Sequence, residues 1–202
     1  MINKGSKVAL ALAASTLLTA CASMTPTREV TEGYRIYDIT GDVGSSVIAA
    51  DLRTALQQNA DQVRFSNSIP PHPLPETPAR FTLTDPFANS SMGTLMAAQG
   101  NSMKVPECEG STFTATSNAN FQGAENTTFF VCLMPYSEGH HVNVYYNFTS
   151  VSGGFSPEDL GRTLAQSVVG DSSQFIPRII ASLETAAAKS GSNVKLLESY
   201  PN

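Results

Sequence analysis

Charge, histidine, cysteine and long apolar runs are all scarce in this chain, and each shortage excludes something. Charged residues make up 14% of the sequence, against ~25% in an ordinary soluble domain. No cluster of Lys and Arg occurs anywhere, so the electrostatic footprint of a nucleic-acid binder is missing. The longest apolar run, Val8 to Ala20, falls short of the ~20 residues a membrane-spanning helix requires. Histidines number 3 (His72, His140 and His141), which leaves little from which to build a metal centre.

Catalytic motifs are scarce as well. There is no G-x-S-x-G nucleophile elbow, P-loop or Rossmann fingerprint. Ser192 to Lys195 has the S-x-x-K spacing without its partner motifs, and the serines after Gly170 read as helix caps. His140 and His141 are adjacent, so on a strand they point to opposite faces and do not share one metal. Met92, Met96 and Met103 are soft thioethers of the kind that bind Cu(I), but they lack dense repetition and read as gap-fillers. These residues predict a non-enzymatic protein with no metal and no cofactor.

What is present begins with the N-terminus. Lys4 and Lys7 precede the apolar run, and small residues close it, which is the pattern of a secretory signal peptide. The run ends Leu18-Thr19-Ala20-Cys21. This tetrapeptide resembles the lipobox of bacterial lipoproteins. The resemblance implies a diacylglyceryl group on the Cys21 thiol, cleavage before Cys21, and acylation of the amine so exposed. Ala22 and Ser23 stand where an aspartate would imply inner-membrane retention, so the resemblance implies a Gram-negative outer membrane with the domain facing the periplasm. Several acyl chains make such an anchor stable, since one alone binds marginally. The expected organisation is a signal peptide at 1–20, a lipidated tether at 21–32 and a single periplasmic domain at 33–202. Without Lys4 and Lys7 the remainder carries 10 basic and 17 acidic residues, a net charge of −7.

With Cys21 lipidated, Cys108 and Cys132 are left in an oxidising compartment, where disulfides persist. Two β-rich runs, 111–116 and 127–133, flank a polar centre containing Gly123. A hairpin turning there sets the two cysteines roughly opposite one another and predicts a disulfide between them.

The rest of the chain alternates between strand and helix signals. Residues 33–40 ("GYRIYDIT") read as a strand, and 46–59 as a helix capped by Ser45 or Ser46, with Ile48, Leu52, Ala55 and Leu56 on one face. Five prolines between Pro70 and Pro78 make 69–78 an extended crossover unfit for a central strand. A strand at 80–87 follows, and 88–107 reads as loop. In "HHVNVYYNFTSV", Val142, Val144, Tyr146 and Phe148 share an apolar face, while His141, Asn143, Tyr145 and Asn147 share a polar one. That alternation predicts an antiparallel strand with one solvated side. Ser156-Pro157-Glu158-Asp159 opens a helix whose apolar line is Leu160, Leu164 and Val168. A second helix carries Phe175, Ile176, Ile179, Ile180 and Leu183 and is closed by Gly191, and 193–200 forms a last strand.

The fold class expected is α+β: an antiparallel sheet of about four to six strands, helices packed on one face, and one disulfide. The function expected is a lipid-anchored domain that binds another envelope component through His141, Asn143, Tyr145 and Asn147. The alternative is a carrier or sensor holding a small apolar or lipid ligand between helices and sheet.

Overall fold

A computed structural model describes residues 27–60, 62–98, 104–121, 125–152, 172–189 and 193–201. Cys21, Gly123, the helix expected from Ser156 and the cap expected at Gly191 lie outside them. The elements run β1 (Thr27–Thr40), α1 (Ser45–Asn59), β2 (Gln62–Asn67), β3 (Thr82–Thr84), α2 (Ser91–Ala98), β4 (Val105–Glu107), β5 (Phe113–Phe121), β6 (Glu125–Tyr136), β7 (Gly139–Ser152), α3 (Ser172–Lys189) and β8 (Asn193–Tyr200). Six strands form one sheet in the order β2-β5-β6-β7-β1-β8, every neighbouring pair antiparallel. The expected α+β architecture is the one observed.

Four segments depart from the sequence reading. Residues 27–32, expected as tether, form the first half of β1, paired with β7 from Thr27↔Ser152 to Thr40↔Gly139. A polar segment beside a full-length partner strand satisfies its backbone groups in the ladder, and that outweighs its lack of apolar residues. Residues 62–67 form an edge strand on β5, where Val63 and Phe65 pack against the core. Residues 88–107, expected as loop, contain α2 and β4, and the expected strand at 80–87 shrinks to β3. The cap of α1 also differs: it is Gly44, which has no side chain to make a cap bond, and the Ser45 hydroxyl is engaged with His140 instead.

Both faces of the sheet are covered. On one, Ile39, Phe113, Phe129, Val131, Leu133, Val142 and Val144 pack under Ile48, Leu52 and Leu56 of α1 and Ile179 and Leu183 of α3. These residues are buried. Each such side chain contributes about 1.5–3 kcal/mol by leaving water, so this layer dominates stability. The other face carries Ile36, Cys132, Met134, Asn143 and Tyr145, as the register Ile36↔Asn143↔Cys132 requires. An excursion between Ser68 and Thr112 covers it, its two ends joined by the Ser68 amide donating to the Thr112 carbonyl at 2.9 Å. Its contacts include the Ser137 amide donating to the Pro75 carbonyl at 3.0 Å, and the Phe81 ring at 5.7 Å from Tyr145 and 5.8 Å from Tyr34.

The disulfide belongs to this second layer. Cys108 and Cys132 are bonded, with Cα atoms 6.2 Å apart, inside the range disulfide geometry demands. The hairpin does not place them opposite each other, though. Thr114 faces Cys132 across β5 and β6, and Cys108 lies before β5 begins. The bond pins the excursion to the sheet and spans no strand pair.

Gly33 shows how tightly β1 and β7 are fitted. It faces Tyr146 in register, and a Cβ there would run into the Tyr146 ring. Gly33→Val should therefore cost about 1–3 kcal/mol, the usual range for overpacking. A urea melt checks it; an unchanged midpoint would show that the ring moves aside freely.

Candidate functional site

The polar strip expected to be solvated is buried. His141 is 7% exposed, Asn143 1% and Tyr145 2%, while Asn147 is half-buried. The correction has a plain cause: alternation reports that a face is polar, and the excursion that covers this face comes from residues 30 to 70 positions earlier in the chain. Within the strip the Tyr136 hydroxyl donates to Asp38 Oδ1 at 2.8 Å, and His141 Nε2 lies 3.7 Å from the same oxygen. Burial, then the hydrogen bond to Asp38, pushes the Tyr136 hydroxyl up to about 12. Burial and then the Glu32 carboxylate push Tyr145 to about 12. Asn143 Nδ2 contacts the Met134 sulfur at 3.4 Å. These groups form a polar layer that is mostly withdrawn from water, with Tyr136 at its open end.

An open groove of about 490 Å³ lies where this strip reaches the end of the sheet. Three segments line it: Gly41 to Ser45 between β1 and α1, Pro70 to Leu74 of the proline-rich crossover, and Pro135 to His140 at the β6–β7 turn. The prolines fix their own φ and remove backbone donors along one wall. Tyr136 and His140 supply aromatic surface, and Asp42 and Glu138 supply acid at an exposed rim.

The Ser45 hydroxyl and His140 Nε2 share a hydrogen bond at 2.8 Å. Such a pair invites comparison with a hydrolase nucleophile and its base. The third group that orients the base is the test. His140 Nδ1 is buried and has no hydrogen-bond partner among the described residues, so no carboxylate there fixes its tautomer. No group of three or more His, Cys, Asp or Glu side chains converges to hold a metal among the described residues. The pair does the work of a clasp, joining the start of α1 to the start of β7.

Both histidines are tuned by burial. Desolvation lowers His140, and desolvation lowers His141 against the opposing pull of Asp38. A histidine depressed in the folded state favours folding above its unfolded value of about 6.5. That contribution is lost as pH falls below about 6.5 and through the folded values. Urea midpoints should therefore decline from pH 7 to pH 5, and the double variant His140→Gln/His141→Gln should flatten the decline. An equal slope in that variant would assign the pH dependence to other groups.

A second, smaller groove of about 300 Å³ runs between α1 and α3 and is lined by Asp51, Gln58, Arg178 and Lys189 among others. Ile179 and Leu183, expected as possible pocket lining, lie in the buried core beneath it.

No protein-family model and no curated protein matches this chain. Among solved structures, a conserved protein from Geobacillus kaustophilus is similar at 13% sequence identity and a TM-score of 0.31, over 81% of this chain and 99% of that one. A likeness this distant assigns no activity.

Sequence reading missed the groove because its three walls come from separate parts of the chain. The one available signal was the His140–His141 doublet, which forces one ring onto each face. His140 went to the helix side, where Ser45 meets it. No periodicity encodes that meeting.

Proposed function

We propose that this protein is a lipid-anchored envelope lipoprotein whose domain binds another envelope protein, without catalysing a reaction. Cys21 carries the anchor, in the outer membrane, and the domain faces the periplasm. The partner lays an extended segment into the groove between the proline-rich crossover and the β6–β7 turn.

The observation that carries the reading is the position of that groove. It opens at the end of the sheet where β1 finishes, and the anchor precedes the end where β1 starts. A site so placed points away from the bilayer. Its proline-stiffened wall gives up little conformational freedom on binding. The rim acids favour a partner segment carrying Lys or Arg.

Two measurements test it. Mass spectrometry of the mature N-terminal peptide should find acyl chains on Cys21, and Cys21→Ser should release the protein from membranes. A photo-crosslinking residue at Leu74 or Glu138 should then capture one discrete partner in cells, while the same residue at Lys189 captures none. Equal capture from both places would overturn the groove assignment.

A further inference from the structure

The end of the sheet nearest the anchor has a surface of its own, and its chemistry differs from the rest of the domain. β4 runs from beside Glu32, where Lys104 Nζ lies 3.7 Å from Glu32 Oε2, toward Cys108 on Cys132 at the level of Ile36. β3 pairs antiparallel to it and ends at Thr84 opposite Val105. The chain therefore leaves β3 at the end of the sheet where β1 begins. Compact turns follow: the Ala88 amide donates to the Asp85 carbonyl, and the Ser90 amide to the Phe87 carbonyl. α2 begins directly after them.

α2 is an unusual surface helix. Its sequence, SMGTLMAA, contains no charged residue, and none occurs from Pro86 to Met103. Only Gly93 is buried; its lack of a side chain lets the helix rest on the Phe87 carbonyl, which a Cβ would strike. Met92 is 54% exposed and Leu95 56%, and Phe87, on whose carbonyl Gly93 rests, is exposed too. Ile69 and Leu74 of the excursion are exposed as well, but Phe87, Met92 and Leu95 stand together on a stretch of chain that carries no charge.

The length of chain leading to Cys21 decides what covers it. Residues 22–26 separate Cys21 from the first residue of β1. Fully extended, that span reaches about 20 Å, barely more than the radius of gyration of about 16 Å expected for a domain this size. A domain held so closely has one extended apolar surface always within reach, the bilayer holding the anchor. An uncharged, apolar helical turn is suited to the headgroup boundary, where a buried depth of about 5–10 Å is typical.

We infer that α2 and the Phe87 turn form a membrane-docking face, which seats the domain on the bilayer beside its lipid anchor and fixes the distal groove outward. This rests on lipidation of Cys21, which belongs to the proposed function above. A second copy of the chain is the competing occupant.

The chain contains no tryptophan, so a single introduced one reports its own surroundings. The acylated protein, its Cys21 modification verified by mass spectrometry, is reconstituted into vesicles of phosphatidylethanolamine and phosphatidylglycerol with brominated acyl chains. Leu95→Trp and, separately, Met92→Trp should be quenched several-fold more than Glu138→Trp at the distal groove, with emission shifted to the blue. Both sites are exposed, so neither variant should change the melting temperature. Equal, weak quenching at both ends in acylated protein overturns the inference while leaving the anchor intact. A blue shift without bromine quenching, growing with protein density, overturns it in favour of self-association. Absence of acyl chains on Cys21 removes the anchor itself, and the inference falls with it.

Discussion

Asn143→Asp should destabilise the domain by about 3–5 kcal/mol at neutral pH, the usual cost of an uncompensated buried charge. Asn143 is 1% exposed on the covered face of the sheet. Its Nδ2 contacts Met134 Sδ, and its Oδ1 has no hydrogen-bond partner among the described residues. A carboxylate at that position gains an acceptor where no donor stands ready, and it loses the solvation it enjoys in the unfolded chain. Burial would raise its pKa, so the penalty should be smallest near pH 4 and grow as pH rises. Urea unfolding at pH 4.5 and pH 7 measures it. If Asn143 belonged to a wet surface, the change would stay within about 0.5 kcal/mol at both values. The experiment therefore decides between the polar face read from alternation and the sealed layer found in the fold.

Removing the disulfide should have an effect of similar size through a different mechanism. The bond closes a loop with a sequence separation of 24, worth about 3.5 kcal/mol in the chain-entropy description. For a domain of this length that corresponds to a fall in Tm of about 10 °C. Cys108→Ser/Cys132→Ser should show it in calorimetry, and alkylation of the unreduced wild-type protein should find neither thiol free. The consequence is local as well as global. Without the bond, β4 and the chain around it are held to the sheet by the Lys104–Glu32 pair and short backbone contacts. Hydrogen exchange should therefore rise first across the second layer, over Ile36, Met134 and Asn143, before the helix side responds. A Tm within about 2 °C of wild type would show that the unfolded chain is already constrained there.

These two experiments probe the layer that sequence reading found hardest to see. The helix side was legible because each of its elements carries its own period. Ile48, Leu52 and Leu56 repeat at helical spacing in α1, and Val142 and Val144 alternate in β7; the two sets meet in one core. The disulfide was legible from compartment and parity of cysteines, yet its geometry was not. A midpoint between Cys108 and Cys132 falls in the right hairpin by arithmetic, although Cys108 sits outside the strand pair. α2 gave a weak signal: SMGTLMAA has no charged face, and its cap, the Ser90 hydroxyl accepting from the Gly93 amide at 3.1 Å, sits in a run of small polar residues that reads equally as loop.

By itself the sequence determined the class of the fold, the cysteine pair and the helix-side core, because each is a property of neighbouring residues or of composition. Tertiary structure alone decided which faces see water. The excursion lays Phe81 on Tyr145 and bonds Cys108 to Cys132, the cross-strand neighbour of Asn143, and His141, Asn143 and Tyr145 are buried. Three distant segments converge to make the groove at the β6–β7 turn, and α2 comes to rest through Gly93 on the Phe87 carbonyl. Burial depends on what arrives from elsewhere in the chain, and no local period records an arrival.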